Sequence, residues 1–172
     1  MKMLHGISLT VGIVITTSGA YAADVTSQEG NSGALVTVKL FDVNHVGDMD
    51  MGKNMGLGIG MKGNMLTARF KIEADKFAVP TGMVTFKVTN ASDHMEHEML
   101  VIPIADMETP LPYNDAENRV DEEAAHAAGE VAELAEGATG ELTVDLKPGL
   151  YALICNIPGH YAGGMWRVLA VQ

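Results

Sequence analysis

Leu153-Ile154-Cys155-Asn156-Ile157-Pro158-Gly159-His160, with Met165 five residues further on, is the stretch on which the reading of this chain turns. A thiol, an imidazole and a thioether follow one another as Cys-x4-His-x4-Met inside one loop containing proline and glycine. These are the soft and borderline donors that suit copper. Their spacing lets a single loop between two strands deliver three ligands to one ion, and His97 upstream would complete the set. Read alone, Cys155 is equally a buried structural thiol. Paired with His160 it is a thiolate–imidazole nucleophile, but no oxyanion hole or orienting third group accompanies the pair, and Met165 would then be idle.

On either side of this loop the chain alternates apolar and polar residues in short runs. Leu35–Phe41, Leu66–Ile72, Val84–Thr89 and Glu141–Leu146 read as half-buried strands. Met99-Leu100-Val101-Ile102 is continuously apolar and suits a strand buried on both faces. Leu150–Ile154 leads straight into Cys155, and residues 165–171 form a last strand. Pro80-Thr81-Gly82 and Lys147-Pro148-Gly149 mark turns. Short strands punctuated by turns predict an all-β antiparallel sandwich or barrel. Residues 115–136 break the pattern. They are rich in Ala, Glu and Leu, and Val120, Ala124, Ala127, Val131 and Leu134 keep a three-to-four spacing, which predicts an acidic helical insertion with Gly129 as its weak point.

The first residues have the make-up of an export signal. Lys2 precedes an apolar run from Ile7 to Ser18 and the small-x-small step Ala20-Tyr21-Ala22, so residues 1–22 read as a secretory signal peptide. The run is well short of the ~20 residues needed to cross a bilayer, so stable membrane insertion is not expected once it is removed. Residues 23–33 read as a flexible lead-in and residues 34–172 as a single domain. Cys155 is the only cysteine. Export implies an oxidising compartment, where a lone thiol is buried, paired with another molecule, or held by a metal. The formal net charge of −11 argues against nucleic acid, whose phosphates need Lys and Arg. It is compatible with steering toward a basic partner, or with nothing more than solvation.

Val84–Asn90, the His97-Glu98-Met99 step, the Pro148-Gly149 turn, and Leu153 through His160 to Met165 together resemble the cupredoxin family, specifically its small exported plastocyanin- and azurin-like proteins. The resemblance spans roughly residues 65–172. It implies a Greek-key β-sandwich of eight strands holding one type 1 (blue) copper, with His97, Cys155 and His160 as trigonal ligands and Met165 axial. It also implies that the outer edge of His160 reaches solvent through a rim including Pro158, Gly159 and Tyr161. His94 stands beside His97 as a second choice for the first ligand, but lies in the turn, whereas His97 opens the buried strand.

The implied function is single-electron transfer in the periplasm, without catalysis, to a redox partner such as a c-type cytochrome or a terminal oxidase or reductase. A second reading is a periplasmic copper carrier or tolerance protein. Its support is the Met- and Gly-rich loop, residues 47–65, where Met49, Met51, Met55, Met61 and Met65 follow His45. Thioethers select Cu(I), though such a loop equally suits packing over one end of a sandwich. Many cupredoxins carry Asn or Ser after the first histidine, tying the two ligand-bearing loops together; here Glu98 stands there. A carboxylate close to the ion favours Cu(II), so Glu98→Gln is expected to raise the midpoint potential in voltammetry; an unchanged potential would remove Glu98 from the groups that tune it.

Overall fold

Strand β1 (Ala34–Asp42) alternates buried and exposed side chains along most of its length, with Val36, Val38 and Leu40 turned fully inward. That period of two is what one face against a core requires. The computed structural model describes residues 33–43 and 55–172. The expected signal peptide and all of the expected lead-in but Gly33, together with His45, Met49 and Met51, lie outside the described residues.

After a single 3-10 turn at Met65–Thr67 come β2 (Phe70–Ala74), β3 (Ala78–Val79), β4 (Gly82–Asn90) and β5 (His97–Ile104). Then follow β6 (Tyr113–Asn114), β7 (Arg119–Val120), β8 (Gly129–Leu134), β9 (Thr139–Leu146), β10 (Gly149–Ile154) and β11 (Trp166–Val171). One sheet runs β2-β1-β4-β9, the other β3-β11-β10-β5-β8, and β6 and β7 form a separate hairpin. Sequence-distant strands are neighbours, β4 beside β9 and β5 beside β10, as Greek-key crossovers demand. The pairing is not wholly antiparallel: β1 runs parallel to β4, and β3 to β11.

The main core lies between the sheets. Val36, Val38, Leu40, Phe86 and Val88 from one face Met99, Val101, Leu153 and Leu169 from the other. The first six residues of β5 are all buried, as its continuous apolar run requires, because a second apolar layer covers its outer face. Leu100, Ile102, Ala152 and Ile154 pack there against Ile59, Leu111, Val120, Ala125 and Tyr161. The strand expected from Leu66 begins later, at Phe70, and Leu66 itself is almost fully exposed.

The helix expected over residues 115–136 is absent. The segment holds β7, a set of turns and β8. One i→i−4 bond, Ala125 N–H to the Asp121 carbonyl at 2.9 Å, is not propagated: His126 and Ala127 bond instead to the Glu123 and Glu122 carbonyls, and His126 turns to a φ of 53°. The reason is tertiary. β5 would otherwise be an unpaired edge, and β8 covers it in antiparallel register, burying Val131. Gly129 fits closely there, since a Cβ would come within 3.0 Å of Leu142. Pairing with an open edge outweighs a modest local preference for helix.

Candidate metal centre

The ligand loop is wound tightly by its own backbone. The Cys155 N–H donates to the Met165 carbonyl at 3.1 Å, and the Met165 N–H to the His160 carbonyl at 3.0 Å. The loop's start and end thus join at the ends of β10 and β11. Gly164 permits the last bend: its φ is +96°, and a Cβ would lie 2.8 Å from that of Ala68. Residues 55–69 pack over this loop. The Leu57 N–H donates to the Ala162 carbonyl at 2.9 Å, and the Trp166 indole N–H to the Leu57 carbonyl at 2.7 Å. Leu57 and Ile59 are buried, while Met65 stays 44 % exposed. The part of the Met-rich loop within the described residues is therefore packed onto the sandwich through Leu57, Ile59 and, in part, Met61.

β5 brings His97 to the same end. His97, Cys155 and His160 converge, and theirs is the one such group of potential ligands among the described residues. The two Nδ1 atoms are 3.2 Å apart, and Cys155 Sγ lies 3.4 Å from that of His160 and 3.8 Å from that of His97. A triangle with those edges has its centre about 2 Å from each corner, matching metal–nitrogen and metal–sulfur bonds of ~2.0–2.3 Å. The donor set therefore fits one ion. Met165, the residue expected on the axis, is fully buried at the close of the loop. His94 is exposed and is not in the group.

Burial governs the protonation of these groups. Desolvation pushes His97 down to about 4 and His160 down to about 3; the neighbouring imidazole pushes His160 further the same way, while Asp42 partly opposes both shifts. Both rings are neutral at physiological pH, as nitrogen ligands must be. Desolvation pushes the Cys155 thiol up to about 12, against weaker backbone hydrogen bonds from Glu98 and Ile157. Glu98 is pushed up to about 7, first by burial and then by Glu133 and Glu122. Its N–H donates to Cys155 Sγ at 3.5 Å.

His160 does not reach solvent as the resemblance implied. It is 2 % exposed, and of the expected rim only Pro158 stands in water, Gly159 and Tyr161 being buried. One reason is Phe70, whose ring stacks on His160 at 4.3 Å and 18°, and meets His97 edge-on at 6.3 Å. Sequence reasoning gave Phe70 only a place in an alternating strand. Nor did it give a role to Asn156, whose side chain bonds Val120 and Glu122. Its position inside the ligand motif was the one available signal.

A family model described as the sulfocyanin (SoxE) domain matches residues 75–172, a span that includes His97, Cys155, His160 and Met165. No curated protein matches the chain. Among solved structures, dithionite-reduced auracyanin from the photosynthetic bacterium Roseiflexus castenholzii is similar. It is 21% identical, with 81% of this chain and 99% of that one covered and a TM-score of 0.47. Rusticyanin from Thiobacillus ferrooxidans is 18% identical, with 82% and 79% covered and a TM-score of 0.48.

Proposed function

Because the chain belongs to the sulfocyanin (SoxE) domain family, and with it to the cupredoxins, we propose that it carries single electrons through one type 1 copper ion. The observation that carries this reading is the convergence of two neutral imidazole nitrogens and one thiol sulfur in a fully buried triangle. His97, Cys155 and His160 would hold the ion, and the thioether of Met165, buried at the close of the same loop, would be a further weak donor. Zinc in a structural site takes four strong ligands, whereas a Cys and two His with a distant thioether suit copper. Bound there, copper supplies a centre that accepts and gives up one electron.

The chain's own part is to keep its donors where both oxidation states accept them. Cys155 and His160 sit on a loop closed by main-chain bonds, His97 sits on a strand hydrogen-bonded on both sides, and Phe70 fixes the His160 ring. Little moves when charge moves. Nothing in this scheme transforms a substrate, so the protein acts as a carrier and not as an enzyme.

Residues 1–22 would direct export and leave a periplasmic protein. Among the described residues no helix is long and apolar enough to cross a membrane. The partner would be another redox protein. The acidic stretch of residues 115–136 suits a basic one such as a c-type cytochrome, and its Glu117, Arg119, Asp121, Glu122 and Glu123 border an open hollow of about 380 Å³. Attraction of that kind accelerates encounter and fades with salt.

The test is an optical titration of the metal-free protein with Cu(II). An intense thiolate-to-copper band is expected, saturating at one equivalent and bleaching with ascorbate. A protein that stays colourless but still takes up Cu(I) would move the assignment to a copper carrier.

A further inference from the structure

Asn156 lies between Cys155 and the turn that leads to His160, and it is fully buried. Its side chain spends its hydrogen bonds on one other segment. Oδ1 accepts the Val120 N–H at 2.7 Å, while Nδ2 donates to the Val120 carbonyl at 3.0 Å and to Glu122 Oε1 at 2.9 Å. The amide orientation is forced, since the reverse would set donor against donor and acceptor against acceptor. Three residues on, the Gly159 N–H donates to the Asn118 carbonyl at 2.7 Å. Both shoulders of the ligand loop are thus pinned to residues 118–122, which carry part of the acidic stretch.

The expected tie between the two ligand-bearing loops is not made by the side chain after the first histidine. Glu98 is 5 % exposed, and its buried Oε1 has no hydrogen-bond partner among the described residues. Meanwhile β7 pairs only with β6 among the described strands, and it meets the ligand loop through Asn156.

We propose that Asn156 is a positioning residue, latching the Cys155–His160 loop to the acidic segment at Val120 and Glu122 and so holding the two donors in place for the ion. This rests on the reading of Cys155 and His160 as copper ligands. Outer partners of metal ligands commonly carry ~10–100-fold in metal affinity. Here the partner is not a group bonded to a ligand atom but the amide that fixes the loop between two ligands.

The test uses the copper-loaded protein with Asn156→Asp and the double variant Asn156→Asp/Glu122→Gln. Asn156→Asp keeps an acceptor for the Val120 N–H, but turns carboxylate oxygen toward the Val120 carbonyl and Glu122. Copper loss to excess chelator is expected to be about tenfold faster or more, with an altered thiolate-to-copper absorption. Adding Glu122→Gln offers an amide donor to the new carboxylate while the Val120 carbonyl still faces it, and is expected to recover part of both. Glu122→Gln alone still accepts the Asn156 bond, and should stay within about twofold of wild type.

A merely structural Asn156 would lower melting temperature while leaving spectrum and copper loss unmoved. Asn156→Asp within about twofold of wild type in both readouts, or a double variant no closer to wild type than the single one, overturns the latch. Should Asn156→Asp not fold, Asn156→Ser shortens the reach to Glu122 without adding charge and carries the same expectation. A wild-type protein without the intense band would overturn the ligand reading and the latch with it; a blue wild type with unaffected variants overturns the latch alone.

Discussion

Cys155→Ser is expected to abolish the intense visible band and to weaken Cu(II) binding by more than the ~10–100-fold that loss of an outer partner costs. The thiol is the one donor of the group that brings negative charge to the ion; both imidazoles are neutral. A serine hydroxyl in the same place stays protonated and is a hard, weak ligand, so the ion would be left with two nitrogens. The fold should tolerate the change. The backbone donors to Cys155 Sγ are weak, from Glu98 at 3.5 Å and from Ile157, and a hydroxyl oxygen accepts the same donors. Unfolding free energy of the metal-free variant is expected within about 2 kcal/mol of wild type, measured by denaturant titration. The same variant addresses the Met-rich loop. If it takes up no Cu(I), the thioethers of that loop are packing.

How much of this site was legible in the sequence depended on distance along the chain. Cys155 and His160 announce themselves because one loop carries both and local spacing alone brings them together, with Met165 closing that loop by main-chain bonds to each. His97 was legible because it opens an apolar run that had to be a buried strand, whereas His94 lay one turn before it. Contacts made across the chain left no comparable trace. The alternation around Phe70 says that it points inward, but not that it lies flat on a ring ninety positions away. Asn156 reaches back 36 residues to Val120, and no motif marks such a pairing. Residues 115–136 misled for a related reason. Alanine and glutamate favour a helix wherever nothing else is offered, and a three-to-four spacing arises easily among so many alanines. What they were offered was the open edge of β5, visible only once the sheet exists.

The affinity for Cu(II) should fall steeply with acid, by at least about a thousandfold from pH 8 to pH 5. The sign follows from which protons binding displaces. In the metal-free protein the Cys155 thiol, pushed up to about 12 by burial, is protonated throughout this range, yet only the thiolate binds. One proton therefore leaves at every pH below 12, and each pH unit is worth tenfold, or about 1.4 kcal/mol. The histidines add nothing until the pH nears 4, because burial already keeps them neutral. Glu98, held at about 7, adds a second contribution: below that pH it is protonated, and the net positive charge of an ion beside it favours its ionised form. The slope of log affinity against pH is thus expected to be one above pH 7 and between one and two from pH 7 to 5. Glu98→Gln should hold it at one throughout, and Cys155→Ser should flatten it above pH 7. Competition with a chelator of known proton dependence gives these slopes. An affinity that ignores pH would mean that the thiol is already ionised in the empty site, where burial outweighs the two backbone hydrogen bonds and Arg119 that lower its pKa.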